Sequence, residues 1–452
     1  MDLARLSAIL LSLALCASGE SITLRQAVER SVEKYPSVRV SLEQVSAAAA
    51  GVQLARTAFL PKADFLSQIN RATRNNVFGM LMPQSTLPGI SGPPLHENKM
   101  TSVWGTAVGF LVSWEPFDFG LRKANVDAAD VARRRAAAGV ERTKLDVSTA
   151  AADAFLTILA AQQLVASAQA SVARGKSLET VVGALVKAEL RPGADAERTR
   201  AEVALAETQQ IQAEQAVAVS RAALAQLLGV TPSEVAAEAG RFFASPPGME
   251  PEGSVNEHPV LREQRVAIDE TKARQAALDK TWYPRFLLQG STYARGTGAF
   301  VDGTTGGAAS GLGPNISNWG VGFTMFFPLL EQPGLKAKRE IEVYKERTEA
   351  ARLQQMQREL NGQLEKAKAM LDGARRAAKQ APVQLQAAKA VEGQAAARYK
   401  AGLGTIVEVA EAQRLLAQAE ADSALANLNV WRALLAVAAS KGNLNEFLDQ
   451  AR

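Results

Sequence analysis

Few residues in this 452-residue chain have side chains suited to chemistry. There are two histidines and one cysteine. His96 lies in a Pro/Gly-rich loop and His258 precedes Pro259 at a helix start. Neither has a cysteine, a second histidine or a nucleophilic serine at a spacing that builds a catalytic or metal-binding set. The sequence therefore predicts no enzyme, no metal and no cofactor, and a soft-metal chelating site is disfavoured. What stands out instead is Arg398 to Gln413, RYKAGLGTIVEVAEAQ. Gly402 and Gly404 interrupt the apolar periodicity, Thr405 restarts a helix, and Glu408 follows three residues later. That is the spacing of a capping box, with Thr accepting from one orphan amide and Glu reaching back to another. Glu411 comes one helical turn after Glu408, so the two carboxylates share a face.

Such a turn needs long helices on both sides, and the composition supplies them. Alanine dominates, aromatics are only 6%, and the apolar positions fall at helical spacing, which favours long, close-packed helices over compact domains. The net charge of +5 is small for this length, and Lys and Arg are interspersed with Glu, which argues against a nucleic-acid partner. Residues 1–19 carry Arg5, an apolar run from Leu6 to Leu15 and small residues ending at Gly19, the pattern of a cleaved secretory signal. The alternative for this segment is lipidation at Cys16, which the bulky Leu15 disfavours. No later stretch of about 20 apolar residues is apparent, so any membrane entry is expected through strands.

Read in order, the chain gives a helix over Thr23–Thr57, a strand over Lys62–Arg74, a long Gly/Pro-rich loop, and a strand over Val103–Phe117. A helix follows from Arg122 to Ala188, a break at Leu190-Arg191-Pro192-Gly193, and a helix from Asp195 to Leu228. After a Pro/Gly/Glu-rich linker the order repeats: a helix over Pro259–Lys280, strands over Arg285–Arg295 and Trp319–Leu329, and helices over Leu335–Lys400 and Thr405–Ala438. Tyr35-Pro36 and Pro61 are answered 223 residues later by His258-Pro259 and Pro284, Trp104-Gly105 by Trp319-Gly320 at 215, and the break at Pro192-Gly193 by Gly402. Duplication is the simplest account.

The division is a signal peptide (1–19), a first helix (20–60), a first β-hairpin (61–120), a first helical hairpin (121–229) and a linker (230–257). The second repeat runs helix (258–283), β-hairpin (284–334) and helical hairpin (335–440), with a tail at 441–452. In each repeat two short helices match one long helix of about 100 Å. Leu353, Met356, Leu360, Leu364 and Leu371 keep a near-heptad seam in the last long helix.

The strands point to a membrane. Trp104, Thr106, Val108, Phe110, Val112 and Trp114 share one face of the second strand, and Trp319, Val321, Phe323, Met325 and Phe327 one face of the fourth. Trp104 and Trp114 lie ten residues apart, about 25 Å in height for a tilted strand, which suits the two aromatic girdles of a barrel. Four strands leave two open edges, which lipid does not tolerate, so a spanning barrel requires several chains.

With the duplicated layout, the LRQAVERSVEKYPSV opening, the ARTAFLPK entry to the first strand and RYKAGLGTIVEVAEAQ, the chain resembles the TolC-like outer-membrane efflux family over essentially all of the sequence after residue 19. The resemblance implies a mainly α protein with a membrane β-barrel: a homotrimer with a 12-stranded barrel in outer-membrane lipid, four strands per chain, continuous with a periplasmic helical tunnel closed by helix tips. It also implies a periplasmic adaptor and an inner-membrane transporter as partners, in efflux or type I secretion. By match to the family, Glu408 and Glu411 form acidic rings at the pore aperture, favouring cations. Tyr399 and Asp195 correspond to tip-linking residues. Pro192, Gly193, Gly402, Gly404 and Thr405 form the tip turns, where the adaptor docks. A basic residue that relatives use in a tip link is Gly404 here, which leaves Arg398 as a candidate replacement. The rival reading is a periplasmic adaptor-like coiled-coil protein, which shares the seam and the signal but not the duplication or the strand pairs.

Overall fold

The computed structural model describes residues 21–73, 100–244, 246–248, 253–300 and 304–451. The signal segment with Cys16, Arg74, His96 and most of the 75–101 loop lie outside them. β1 (Ser21–Ile22) leads into α1 (Leu24–Lys34) and α2 (Pro36–Thr57), followed by β2 (Lys62–Thr73) and β3 (Ser102–Phe117). α3 (Leu121–Lys187), α4 (Gly193–Leu228) and β4 (Ala236–Ala237) come next, then α5 (Pro259–Lys280), β5 (Arg285–Thr297) and β6 (Ile316–Phe326). The chain closes with α6 (Gln332–Lys400), α7 (Ile406–Lys441) and α8 (Asn445–Gln450).

The duplicated order holds, with local corrections. The helix expected over Thr23–Thr57 is two helices, because Tyr35 precedes a proline and takes an extended conformation at ψ 127°. Thr23 caps α1 through a full capping box with Gln26. α4 starts at Gly193 rather than Asp195. β6 starts three residues before Trp319 and stops at Phe326, so Phe327 leaves the ladder next to Pro328, which has no amide to donate.

The chain divides into two compact units. One comprises Ala47–Arg133 and Asp269–Arg347 and holds the sheet, whose strand order is β2-β3-β5-β6 with every pairing antiparallel. Residues paired across such a sheet share a face, so the register sorts the side chains. On one face lie Phe65 and Ile69, then Phe110, Val112 and Trp114, then Leu288, then Trp319, Val321, Phe323 and Met325, all solvent-exposed in the single chain. The other face carries Lys62, Asp64, Gln68 and Asn70, then Ser113, then Gln289, Ser291, Tyr293 and Arg295, then Asn318 and Thr324. The first side is mainly apolar and the second mainly polar, although the second also carries Leu66, Leu111, Leu287, Ile316 and Phe326, and β2 and β6 are open edges.

The three tryptophans of the expected girdles lie on the apolar face, but at unequal levels. The Trp104 ring lies under the Arg71 guanidinium at 5.1 Å, and Trp114 Nε1 donates to the Phe59 carbonyl at 3.1 Å. Trp319, 81% exposed, pairs with Thr292, which pairs with Phe110. Through that register it stands between Trp104 and Trp114, and β6 begins three residues before it rather than at it. After β5 the chain folds back on β3. Gly298 N donates to the Trp104 carbonyl at 2.8 Å, and Thr106 Oγ1 donates to the Gly311 carbonyl at 2.9 Å. Gly311 has φ +92°, and a Cβ there would lie 2.2 Å from the Trp104 carbonyl oxygen, so this close approach requires glycine.

The other unit comprises Met1–Ser46, Arg134–Ile268 and Thr348–Arg452. Its core is an aromatic chain in which Phe242 meets Phe155 and Trp431, and Trp431 meets Phe447, at centroid distances of 5.2–6.0 Å. Leu156, Ile158, Leu159, Leu434 and Val437 fill in around it. α3 contains a stretch long and apolar enough to cross a membrane by length and composition alone, which the sequence reading passed over. Its Phe155–Leu159 segment is this buried core. Of the expected seam, Leu360 and Leu371 are buried, while Leu353, Met356 and Leu364 pack against them.

His258 has a structural role. Its Nδ1 accepts from Val260 N at 3.2 Å and caps α5, so Nε2 carries the proton and donates to the Ala439 carbonyl at 3.2 Å. Gly442, at φ +78°, closes α7 against it, and a Cβ there would come within 2.8 Å of Pro259.

Candidate functional site at the hairpin tips

Both helical hairpins turn by the same device. At the second tip α6 ends in a Schellman motif. Gly402 N donates to the Tyr399 carbonyl at 3.1 Å and Leu403 N to the Arg398 carbonyl at 2.9 Å, with Gly402 left-handed at φ +80°. At the first tip Glu189 N donates to the Val186 carbonyl at 3.0 Å and Leu190 N to the Leu185 carbonyl at 2.9 Å. The left-handed residue there is Glu189, at φ +59°. The position that answers Gly402 is thus Glu189, not Pro192-Gly193 as the sequence reading has it. Pro192 is the N-cap of α4, where its missing amide costs no helix hydrogen bond, and Gly193 is the first helical residue. Gly404 makes no left-handed bend. It is tightly packed, and a Cβ would lie 3.2 Å from Glu408 Oε2 and 3.3 Å from Arg398 Cβ.

The capping box of α7 is half formed. Thr405 Oγ1 accepts from Glu408 N at 3.3 Å, but the Glu408 carboxylate meets the Thr405 hydroxyl at 3.3 Å rather than the cap amide. Glu408 and Glu411 are both solvent-exposed on α7.

The tips are tied to each other within the chain. Tyr399, only 1% exposed, sits in an apolar cluster with Val182, Ile406 and Val409. Its hydroxyl donates to Asp195 Oδ2 at 2.9 Å. Asp195 is in the first turn of α4, where a carboxylate also benefits from the helix dipole. Burial, and then the hydrogen bond to Asp195, push the Tyr399 phenol up to about 12, so it remains a donor across the physiological range.

The basic partner is one the sequence reading missed. Arg191 Nη2 donates to the Tyr399 carbonyl at 2.6 Å, and its guanidinium lies 4.4 Å from the centre of the Tyr399 ring. Arg398, the expected candidate, donates to the Leu403 carbonyl of its own tip at 3.3 Å. A signal existed: the 213-residue spacing between Glu189 and Gly402 places Arg191 opposite Gly404, so the cation missing at one tip stands on the other. Further along, Arg174 forks onto both oxygens of Glu420 at 3.1 and 2.7 Å, and Arg414 pairs with Glu202. Tyr399, Arg191, Asp195, Arg414 and Glu202 thus join α6 and α7 to the first hairpin by polar links. A catalytic or metal-holding arrangement has no counterpart among them.

An open sheet with one lipid-compatible face, joined to duplicated helical hairpins with polar links at their tips, defines an outer-membrane channel protein. The chain belongs to the outer membrane efflux protein family, whose model matches residues 27–230 and 252–443. It is similar to Nodulation protein T of Rhizobium leguminosarum bv. trifolii, with 24% identity over 91% of this chain and 83% of that protein. In fold it is similar to the CmeC outer membrane channel of Campylobacter jejuni, with TM-score 0.72 and 12% identity over 95% of this chain and 89% of that one. It is likewise similar to the outer membrane protein VceC of Vibrio cholerae, with TM-score 0.70 and 14% identity over 93% and 96% of the two chains. These likenesses show the fold, and the family places the protein in the outer membrane, with its helical part in the periplasm.

Proposed function

We propose that three copies of this chain form an exit duct, each contributing four strands to a 12-stranded barrel and two helical hairpins to a periplasmic tunnel. The observation that carries this reading is the sheet: mainly apolar on one face, mainly polar on the other, and open at β2 and β6. Lipid does not tolerate open edges, and pairing β6 of one chain with β2 of the next removes them all when the ring closes. The tips are the gate, held by Tyr399, Asp195 and Arg191, and Glu408 and Glu411 line its lumen. The duct works without chemistry of its own, receiving solutes or proteins from an inner-membrane transporter through a periplasmic adaptor that engages the tips around Gly402–Thr405 and Pro192–Gly193.

Membrane fractionation followed by electrophoresis with and without heating tests the assembly. A heat-sensitive trimer band in the outer-membrane fraction is expected. A monomer that fractionates with the inner membrane would favour the adaptor-like alternative.

A further inference from the structure

Two ion pairs join α7 to the first hairpin among the described residues, and they differ in one respect. Arg174 and Glu420 have no opposite charge three or four residues away on their own helices, so that pair can only form or break. Glu202 and Arg414 each have one. Arg198 stands four residues before Glu202 on α4, and Glu411 three residues before Arg414 on α7, both exposed and within side-chain reach on a helix surface. Arg414 reaches both carboxylate oxygens of Glu202 and borders a cavity of about 540 Å³ between α3, α4 and α7. The Arg414 side chain is 57% exposed, which leaves it room to turn.

We propose that separation of α4 from α7 trades the Glu202–Arg414 link for two pairs within helices, Arg198 with Glu202 and Glu411 with Arg414, so that opening lowers the negative charge of the constriction. The number of pairs does not fall, and intrahelical pairs are of the same order as an exposed link between helices, so the exchange opposes opening little. Glu411 already acts on the Arg414 charge while Glu202 holds it, although the Glu202 hydrogen bond is the stronger influence. A cargo-width opening would therefore meet one unneutralised carboxylate per chain, Glu408, where the closed tip presents two. The inference rests on the reading that Glu411 lines the lumen.

The test is the reversal potential of the purified channel in a planar bilayer under a KCl gradient, which reports cation against anion permeability. Glu202→Gln frees Arg414 for Glu411 and shifts the potential toward zero, and Arg414→Gln shifts it toward stronger cation preference. Adding Glu202→Gln to Arg414→Gln then produces no further shift. The charge swap Glu202→Arg with Arg414→Glu restores the link between helices but places a carboxylate beside Glu411, and it raises cation preference above the unmodified channel. A swap that behaves as the unmodified channel, or equal shifts from Glu202→Gln in both backgrounds, overturns the exchange. Glu411→Gln is the separate arm: no shift there removes the lumen-lining reading itself, and the exchange with it.

Discussion

The hydroxyl of Tyr399 on α6 donates to the carboxylate of Asp195 on α4 at 2.9 Å, and this bond ties the tips of the two hairpins inside one chain. Arg191 adds a second hold on the same tyrosine, through its carbonyl and over its ring, so one buried side chain serves as the anchor for both. Tyr399→Phe keeps the ring, its packing and the Arg191 contact but removes the hydroxyl. Higher single-channel conductance or a larger open fraction, with unchanged helix content, is the expected outcome. Conductance indistinguishable from the unmodified channel would mean that the bond does not restrain the gate.

Glu189 holds a left-handed conformation that costs a residue with a Cβ about 1–2 kcal/mol. At the equivalent turn the chain uses Gly402. Glu189→Gly is therefore expected to stabilise the first hairpin by about 1 kcal/mol, offset in part by the greater freedom of glycine in the unfolded chain. The measurement is thermal or denaturant unfolding followed by helical circular dichroism, and a destabilised variant would contradict the assignment.

His258 gives the helical unit a pH dependence. Burial lowers its pKa below 6.5, partly countered by the Ala439 hydrogen bond and by Asp146. A depressed folded value means that its contribution is fully present above 6.5 and is lost as pH falls through the folded value, when protonation removes the acceptor that caps α5. Asp146 runs the other way. Burial raises its carboxyl above 3.8, so its contribution is fully present only below 3.8 and is lost as pH rises through its folded value. Unfolding midpoints measured between pH 7.5 and 5 are expected to fall, with a flatter curve for His258→Asn. Parallel curves for the two proteins would assign the loss to other groups.

Much of this architecture was legible in the sequence because periodicity and punctuation coincide. Prolines and glycines at repeated offsets mark the ends of elements, and alternation marks strand faces, which is why α5 and the start of β5 fall where expected. The misreadings have local causes. Glu189 carries the first turn without glycine, and the nearest glycine signal, Pro192-Gly193, begins three residues late. Trp319 looks like a strand opener, but Ile316 already pairs with Arg295. Arg191 holds a backbone carbonyl 208 residues away, a contact that residue types do not encode, and only the repeat offset that sets it opposite Gly404 points to it. The Tyr399–Asp195 pairing was legible only through the family resemblance.

The central claim is that this chain forms a channel whose narrowest part is lined by Glu408 and Glu411. Its most direct test is the conductance and ion selectivity of the purified trimer in a planar bilayer, with and without Glu408→Ala combined with Glu411→Ala. A cation-preferring channel that loses that preference in the double variant is predicted. Unchanged selectivity in the double variant, or no conductance from the unmodified trimer, would contradict it.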